Sequence, residues 1–161
     1  MSRRTKKERA PDDAARRSRA ITIIYSIAAV IAICGLGDAV YLTIAHLTGE
    51  TLVCGGSLGC SKVLGSKFAH IGPVPLASIG ALGYFTAFSC ATFAAFGYAR
   101  ARTFFAAIVW LMFAATLWLL SVQAFILHSF CRYCLVSAAL VFVLAALVVL
   151  VPPQRTSGNV N

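Results

Sequence analysis

The chain has 161 residues, of which 60% are hydrophobic and 12% charged, and its mean hydropathy is +0.84. That balance excludes an ordinary water-soluble domain, in which charged side chains make up about a quarter of the residues. The formal charge of +9 invites a nucleic-acid reading, but eight of the 14 Lys and Arg precede residue 20, so the charge describes a tail and not a binding face.

The first segment, residues 1–19, carries Arg3, Arg4, Lys6, Lys7, Arg9, Arg16, Arg17 and Arg19 and no aromatic residue. With no apolar period it is expected to be disordered and to touch anionic lipid. It is similar to the n-region of a signal peptide. The apolar run behind it, however, far exceeds the roughly 7–15 residues of an h-region, and no small-residue cleavage site follows, so cleavage is not expected.

Ile21 to Leu47 is the first apolar run, long enough to cross a hydrocarbon core of roughly 30 Å. Asp38 interrupts it nine residues before its end, on the order of 13 Å inward at 1.5 Å per residue. An acid at that depth is costly, so it needs a hydrogen bond to a neighbouring helix or a polar cavity to face. Three further runs extend from about Val74 to Tyr98, from about Phe104 to Leu127 and from about Cys131 to Val151. Because lipid forbids open strands and exposed irregular backbone, the expected fold is an all-α membrane protein, a four-transmembrane-helix bundle with an external loop. The four spans use most of the chain and leave little for a soluble domain at either end. Gly35, Gly37, Gly80 and Gly83 read as close-packing points between helices, and Pro73 and Pro75 mark the entry to helix two.

Arg100 and Arg102 lie between runs two and three, and Arg155 follows run four. With the tail they place eleven Lys and Arg on one side of the membrane, against Lys62, Lys67 and Arg132 on the other. The positive-inside rule then puts both termini in the cytoplasm. Six cysteines are sorted by that topology. Cys34 and Cys90 fall within spans and are expected in the core as small apolar residues. Cys54, Cys60, Cys131 and Cys134 fall on the outer side, where thiols can be oxidised.

The first outer pair sits in "CGGSLGC", whose Gly55, Gly56 and Gly59 let the two sulfurs meet, separate and meet other partners. The second sits in "HSFCRYCLV", at the start of the last span. If Cys131 lies near the first turn of that helix, the unpaired amides, the helix dipole and Arg132 all favour its thiolate, the nucleophile of disulfide exchange. Two permanent structural disulfides also fit this compartment. Zinc fits poorly, since five residues separate Cys54 from Cys60 where ligand pairs are usually spaced by two to four, and no metal is expected.

The run "CGGSLGCSKVLGSKFAHIGPVPLASIGALGYF", followed much later by "FCRYC", resembles the vitamin K epoxide reductase family, in its bacterial branch that oxidises thiols for disulfide bond formation. The resemblance covers roughly Ala20 to Val151. It implies a family domain over 20–152 between the tails 1–19 and 153–161, lodged in a bacterial inner or cell membrane. It implies that Cys131 and Cys134 are the active-site pair, with Cys134 beside a membrane quinone, ubiquinone or menaquinone, as electron acceptor. Cys54 and Cys60 would be the shuttle pair that takes electrons from an outside thiol protein. Ser66 would lie in a short half-helix capping the quinone site. Members that reduce the epoxide carry Thr-Tyr shortly after the last active cysteine. Here "LVSAALVFV" follows Cys134, which favours quinone reduction over epoxide reduction. Some members also carry a fused thioredoxin-like domain, whereas about ten residues follow the last span here, so the thioredoxin-fold partner is expected to be a separate protein.

Quinone reduction consumes protons, and His46, His70 and His128 all fall on the outer side, where imidazole titrates at ordinary pH. Asp38 is a candidate for the quinone pocket or a proton path, alongside its structural reading. The competing function is a non-catalytic scaffold or carrier whose outer loop is stapled by two disulfides.

Overall fold

The computed structural model describes the backbone of residues 2–48, 70–71, 74–128 and 130–151. Four long helices occupy them: α1 (Ser2–Thr48), α2 (Leu76–Ala95), α3 (Ala99–Val122) and α4 (Arg132–Leu150). A π-helical turn, Gln123–Leu127, extends α3. Each helix contains a stretch long and apolar enough to cross a membrane: Ser18–Ala45, Leu76–Ala95, Ala99–Ile126 and Arg132–Leu150. A two-residue antiparallel pair, β1 (His70–Ile71) with β2 (Val74–Pro75), leads into α2. Pro75 therefore does stand at the entry to α2, while Pro73 and the loop expected to hold the half-helix lie outside the described residues.

The backbone of the basic segment is helical and continuous with α1, where composition alone pointed to disorder. Ala, Arg, Lys and Glu are good helix formers, and adding residues to a helix already nucleated carries no nucleation cost. Of the basic side chains in that segment, Arg16 and Arg19 are described and exposed, and the others lie outside the described residues.

Packing follows size and not polarity. The first helix buries Tyr25, Ala28, Ala32, Gly35, Ala39, Leu42 and Ala45, at steps of three and four that trace one helix face. The second helix answers with Tyr84, Ala87, Ala91 and Ala94, and this pair makes the most extensive interface of the bundle. Large apolar side chains such as Ile23, Leu82, Phe85, Leu111 and Trp118 point outward. In lipid no hydrophobic force distinguishes the two directions, so small residues that let backbones approach decide which face is internal.

Gly35 and Gly83 serve that purpose. A Cβ on Gly35 would collide with the Tyr84 ring, and one on Gly83 would lie 3.4 Å from the Met112 sulfur. Gly37 and Gly80 do not, having nothing within 4 Å among the described residues. Cys34 also departs from its expected place, being exposed on the bundle surface. It precedes the buried Gly35 by one residue, about 100° around the helix, which turns it out of the stripe. Cys90 is half-buried against the core.

The α2–α3 reversal is three residues long. Gly97 adopts φ +95, its N–H donates to the Ala94 carbonyl (3.1 Å), and the Tyr98 N–H donates to that of Phe93 (3.2 Å). The Phe93 and Tyr98 rings pack edge to face at 6.1 Å, completing a Schellman closure with its hydrophobic contact. The helix that follows begins at Ala99, five residues before the apolar run, because Ala-Arg-Ala-Arg is itself good helix sequence. Arg102 thereby stands in its first turn, with its guanidinium 5.7 Å from the Tyr25 ring centre. Tyr25 in turn meets Phe105 edge-on at 5.6 Å and closes this end of the bundle.

Candidate redox site at the start of the fourth helix

The opposite end brings together the last turn of the α3 segment and the start of α4. Gln123–Leu127 winds as a π turn, a local widening that occurs often at functional sites. His128 then takes φ 47, ψ 36, and its N–H donates back to the Gln123 carbonyl. Cys131 follows as the residue capping α4, in extended geometry (φ −92, ψ 119). Its carbonyl accepts the Leu135 N–H at 3.0 Å, the first bond of the helix ladder. Helix caps are usually Ser, Thr, Asp or Asn, whose oxygens accept from the amides two and three residues on. Here the group in that position is sulfur.

Cys131 is completely buried, with 0% of its surface exposed. Cys134, one turn into α4, is half-buried, and the two cysteines form no disulfide with one another. The two thiols hydrogen-bond to one another, Cys134 donating. Cys131 stands just before the membrane-spanning part of α4, and its thiol is lowered from an ordinary 9.0 to about 6. The bond from Cys134 is the main cause, reinforced by the Cys134 and Tyr133 amides and opposed by burial and by the charge of Asp38. Of the pair, Cys131 is therefore the sulfur poised as thiolate near neutral pH.

A polar layer lies one helical turn deeper. The Tyr84 hydroxyl is 2.9 Å from both the carbonyl and the Oγ of Ser137. Both contacts are satisfied when the phenol donates to the carbonyl and the Ser137 hydroxyl donates to the phenol oxygen. Ser137 is three residues after Cys134 and shares its helix face. The Tyr84 ring reaches it by resting in the notch at Gly35. Asp38 is one turn from Gly35 on α1, and it is within electrostatic reach of Cys131, Cys134 and Tyr84. Its Oδ2 is buried with no hydrogen-bond partner among the described residues.

Of the residues singled out from sequence, Cys131, Cys134 and Asp38 come together. His128 is exposed at the reversal. The side chains of His46 and His70 lie outside the described residues, as do Cys54, Cys60 and Ser66. Three residues of this region were not read from the sequence: Gln123, Tyr84 and Ser137. Gln123 is 3% exposed, and its Oε1 accepts the Cys131 N–H at 3.2 Å. A single amide inside an apolar run, eight residues before a cysteine pair, was the available signal, because polar groups persist in spans when they have partners. No group of three or more His, Cys, Asp or Glu suited to a metal ion occurs among the described residues.

Four membrane-length helices holding adjacent thiols at the lip of the last one define a membrane dithiol protein. The family model described as "Vitamin K epoxide reductase family" matches residues 26–149, and the chain belongs to that family. Membership makes it a membrane thiol–disulfide oxidoreductase of a quinone-linked family. Comparison with curated proteins returns no match.

Proposed function

We propose that this protein reoxidises a thioredoxin-fold thiol oxidase on the outer face of a bacterial membrane and passes the electrons to a membrane quinone. The observation that carries the reading is the Cys131–Cys134 pair at the start of α4, lowered thiol first, beside the Tyr84–Ser137 layer and Asp38, whose Oδ2 has no hydrogen-bond partner among the described residues. Both termini lie in the cytoplasm, and the basic N-terminal segment rests on anionic lipid.

The electron path has three exchanges, each moving two electrons. A thiolate of the reduced partner attacks the Cys54–Cys60 disulfide. The partner's second thiol resolves the mixed disulfide, leaving the partner oxidised and the loop pair reduced. Cys54 then attacks the Cys131–Cys134 disulfide at Cys131. Cys134 leaves as a thiol, and Cys60 displaces Cys131 to reform the loop disulfide. The lowered thiol of Cys131 makes it a good leaving group in that last displacement. Finally Cys131 and Cys134 return to the disulfide by giving two electrons and two protons to the quinone, which supplies a lipid-soluble acceptor. A strongly oxidising partner near about −120 mV needs an acceptor of at least comparable potential, with roughly 30 mV equal to about 1.4 kcal/mol for two electrons.

The residues around the pair suit that final step. Asp38 can hold a proton at its Oδ2, and Tyr84 and Ser137 offer hydroxyls one turn from Cys134; the family resemblance assigns Ser66 to the quinone. The test is quinone loss, followed by absorbance, with purified protein, a reduced thioredoxin-fold oxidase and ubiquinone or menaquinone. Cys134→Ala is expected to lower the rate at least about 100-fold, a loss of about 2.7 kcal/mol of transition-state stabilisation, with the fold intact. No turnover by the unaltered protein with either quinone, and both disulfides inert to the reduced oxidase, would favour the stapled scaffold.

A further inference from the structure

The electron path leaves one buried polar group without a task. Gln123 lies in the π turn, inside the apolar end of α3, and makes two ties across the reversal. Its backbone carbonyl accepts the His128 N–H, and its side-chain carbonyl accepts the Cys131 N–H at 3.2 Å. Both points are fixed by one residue, so the chain between them has little freedom to shift the start of α4. The reversal also holds His128 at φ 47, a left-handed geometry that a residue with a Cβ adopts at a cost. A looser connection would relax that residue. What the ties maintain is the extended backbone of Cys131, from which the sulfur makes no regular capping hydrogen bond but remains under the influence of the Tyr133 and Cys134 amides of the first helical turn.

We infer that Gln123 is a positioning residue for the dithiol: by holding the Cys131 amide, its side-chain carbonyl keeps the Cys131 sulfur over the first turn of α4 and so sets the reactivity of the pair. The inference builds on the redox reading of the site, but its test needs neither quinone nor partner. Among the described residues, the ionisable groups acting on the sulfur are Cys134 of α4 and Asp38 of α1, with Arg132 and Tyr133 of α4 and His128 of the reversal close in sequence. Gln123 carries no charge, so removing its carbonyl leaves their charges in place, and a changed Cys131 reports a changed position.

The experiment uses the reduced full-length chain in lipid nanodiscs, with alkylation at Cys131 followed by mass spectrometry across about pH 5 to 9. Gln123→Leu removes the acceptor at nearly the same volume. Its alkylation midpoint is expected to rise by about one pH unit, which slows the reaction about tenfold at pH values well below the midpoint. A folded Gln123→Leu protein with the unaltered midpoint would overturn the inference and leave Gln123 a buried structural amide. A second measurement does not depend on the variant folding. In the unaltered protein the Cys131 amide is expected to exchange its hydrogen at least about tenfold more slowly than the amide of the exposed Phe130. Equal rates at the two amides would overturn it as well. Quinone turnover in the same preparation reports separately on the proposed function.

Discussion

The two chain reversals joining α2 to α3 and α3 to α4 do the same mechanical job and are built on opposite lines. The first uses Gly97 where the backbone turns left-handed, satisfies the last carbonyls of α2 with two backbone bonds, and seals itself with two aromatic rings. It is what an unburdened helix end looks like. The second puts a histidine in the left-handed position, widens the preceding helix into a π turn and borrows a glutamine side chain to hold the next helix. The left-handed residue and the widened turn are costly local geometries, and all three features lie within eight residues of Cys131. Strain concentrated beside reactive groups, with a relaxed counterpart on the same chain, marks where conformational freedom has been traded for placement.

That contrast can be broken at three levels. The largest effect is expected from Gly35→Leu, which drives a side chain into the Tyr84 ring and lifts its hydroxyl away from Ser137. A loss of about 2 kcal/mol is expected, with hydrogen exchange rising at the first turn of α4 before it rises at Gly97. Unchanged stability would mean that Tyr84 swings clear and the polar layer is not fixed. An intermediate effect comes from pH. Because the Cys131 thiol lies below its ordinary value, at about 6, thiolate predominates above that pH and is lost below it. Alkylation at Cys131 should therefore fall about tenfold between pH 7 and pH 5, where the alkylation of an ordinary thiol would fall about 100-fold. The smallest effects come from exchanging the turn residues. Gly97→Ala should lose about 1 kcal/mol, whereas His128→Gly should gain about as much by relieving the left-handed residue. A destabilised His128→Gly protein would show that the imidazole itself supports the reversal.

The spans were legible because hydropathy averaged over a membrane thickness separates them cleanly from the loops. Their beginnings were less so. Ala99 to Arg102 is charged enough to look like a linker and helical enough to open α3, and the apolar criterion that finds spans is blind to that. Cysteine placement was legible for Cys131 and Cys134 because their spacing and position at the start of a run carry a mechanism. It was not legible for Cys34, since which side of a uniformly apolar helix faces inward is not written in polarity. The pattern that does mark the inner face, Ala28, Ala32, Gly35 and Ala39, is one of size. Gln123, Tyr84 and Ser137 are ordinary residues one at a time. They become a site only when α2, α3 and α4 are set side by side, which no single-segment reading supplies.

The inward stripes of small residues have a consequence for how this protein tolerates change. A core built of leucine and phenylalanine is vulnerable to deletion, because each truncation leaves a hole. Here much of the interior is alanine: Ala28, Ala32 and Ala39 on α1, Ala87, Ala91 and Ala94 on α2, and Ala138 and Ala145 on α4. Such positions have almost nothing to remove, so mutational damage at them runs in one direction, toward enlargement. Most of the bulky residues, with exceptions such as Tyr25, Tyr84, Phe105 and Leu144, instead face outward, toward lipid, a solvent that refills any space they vacate.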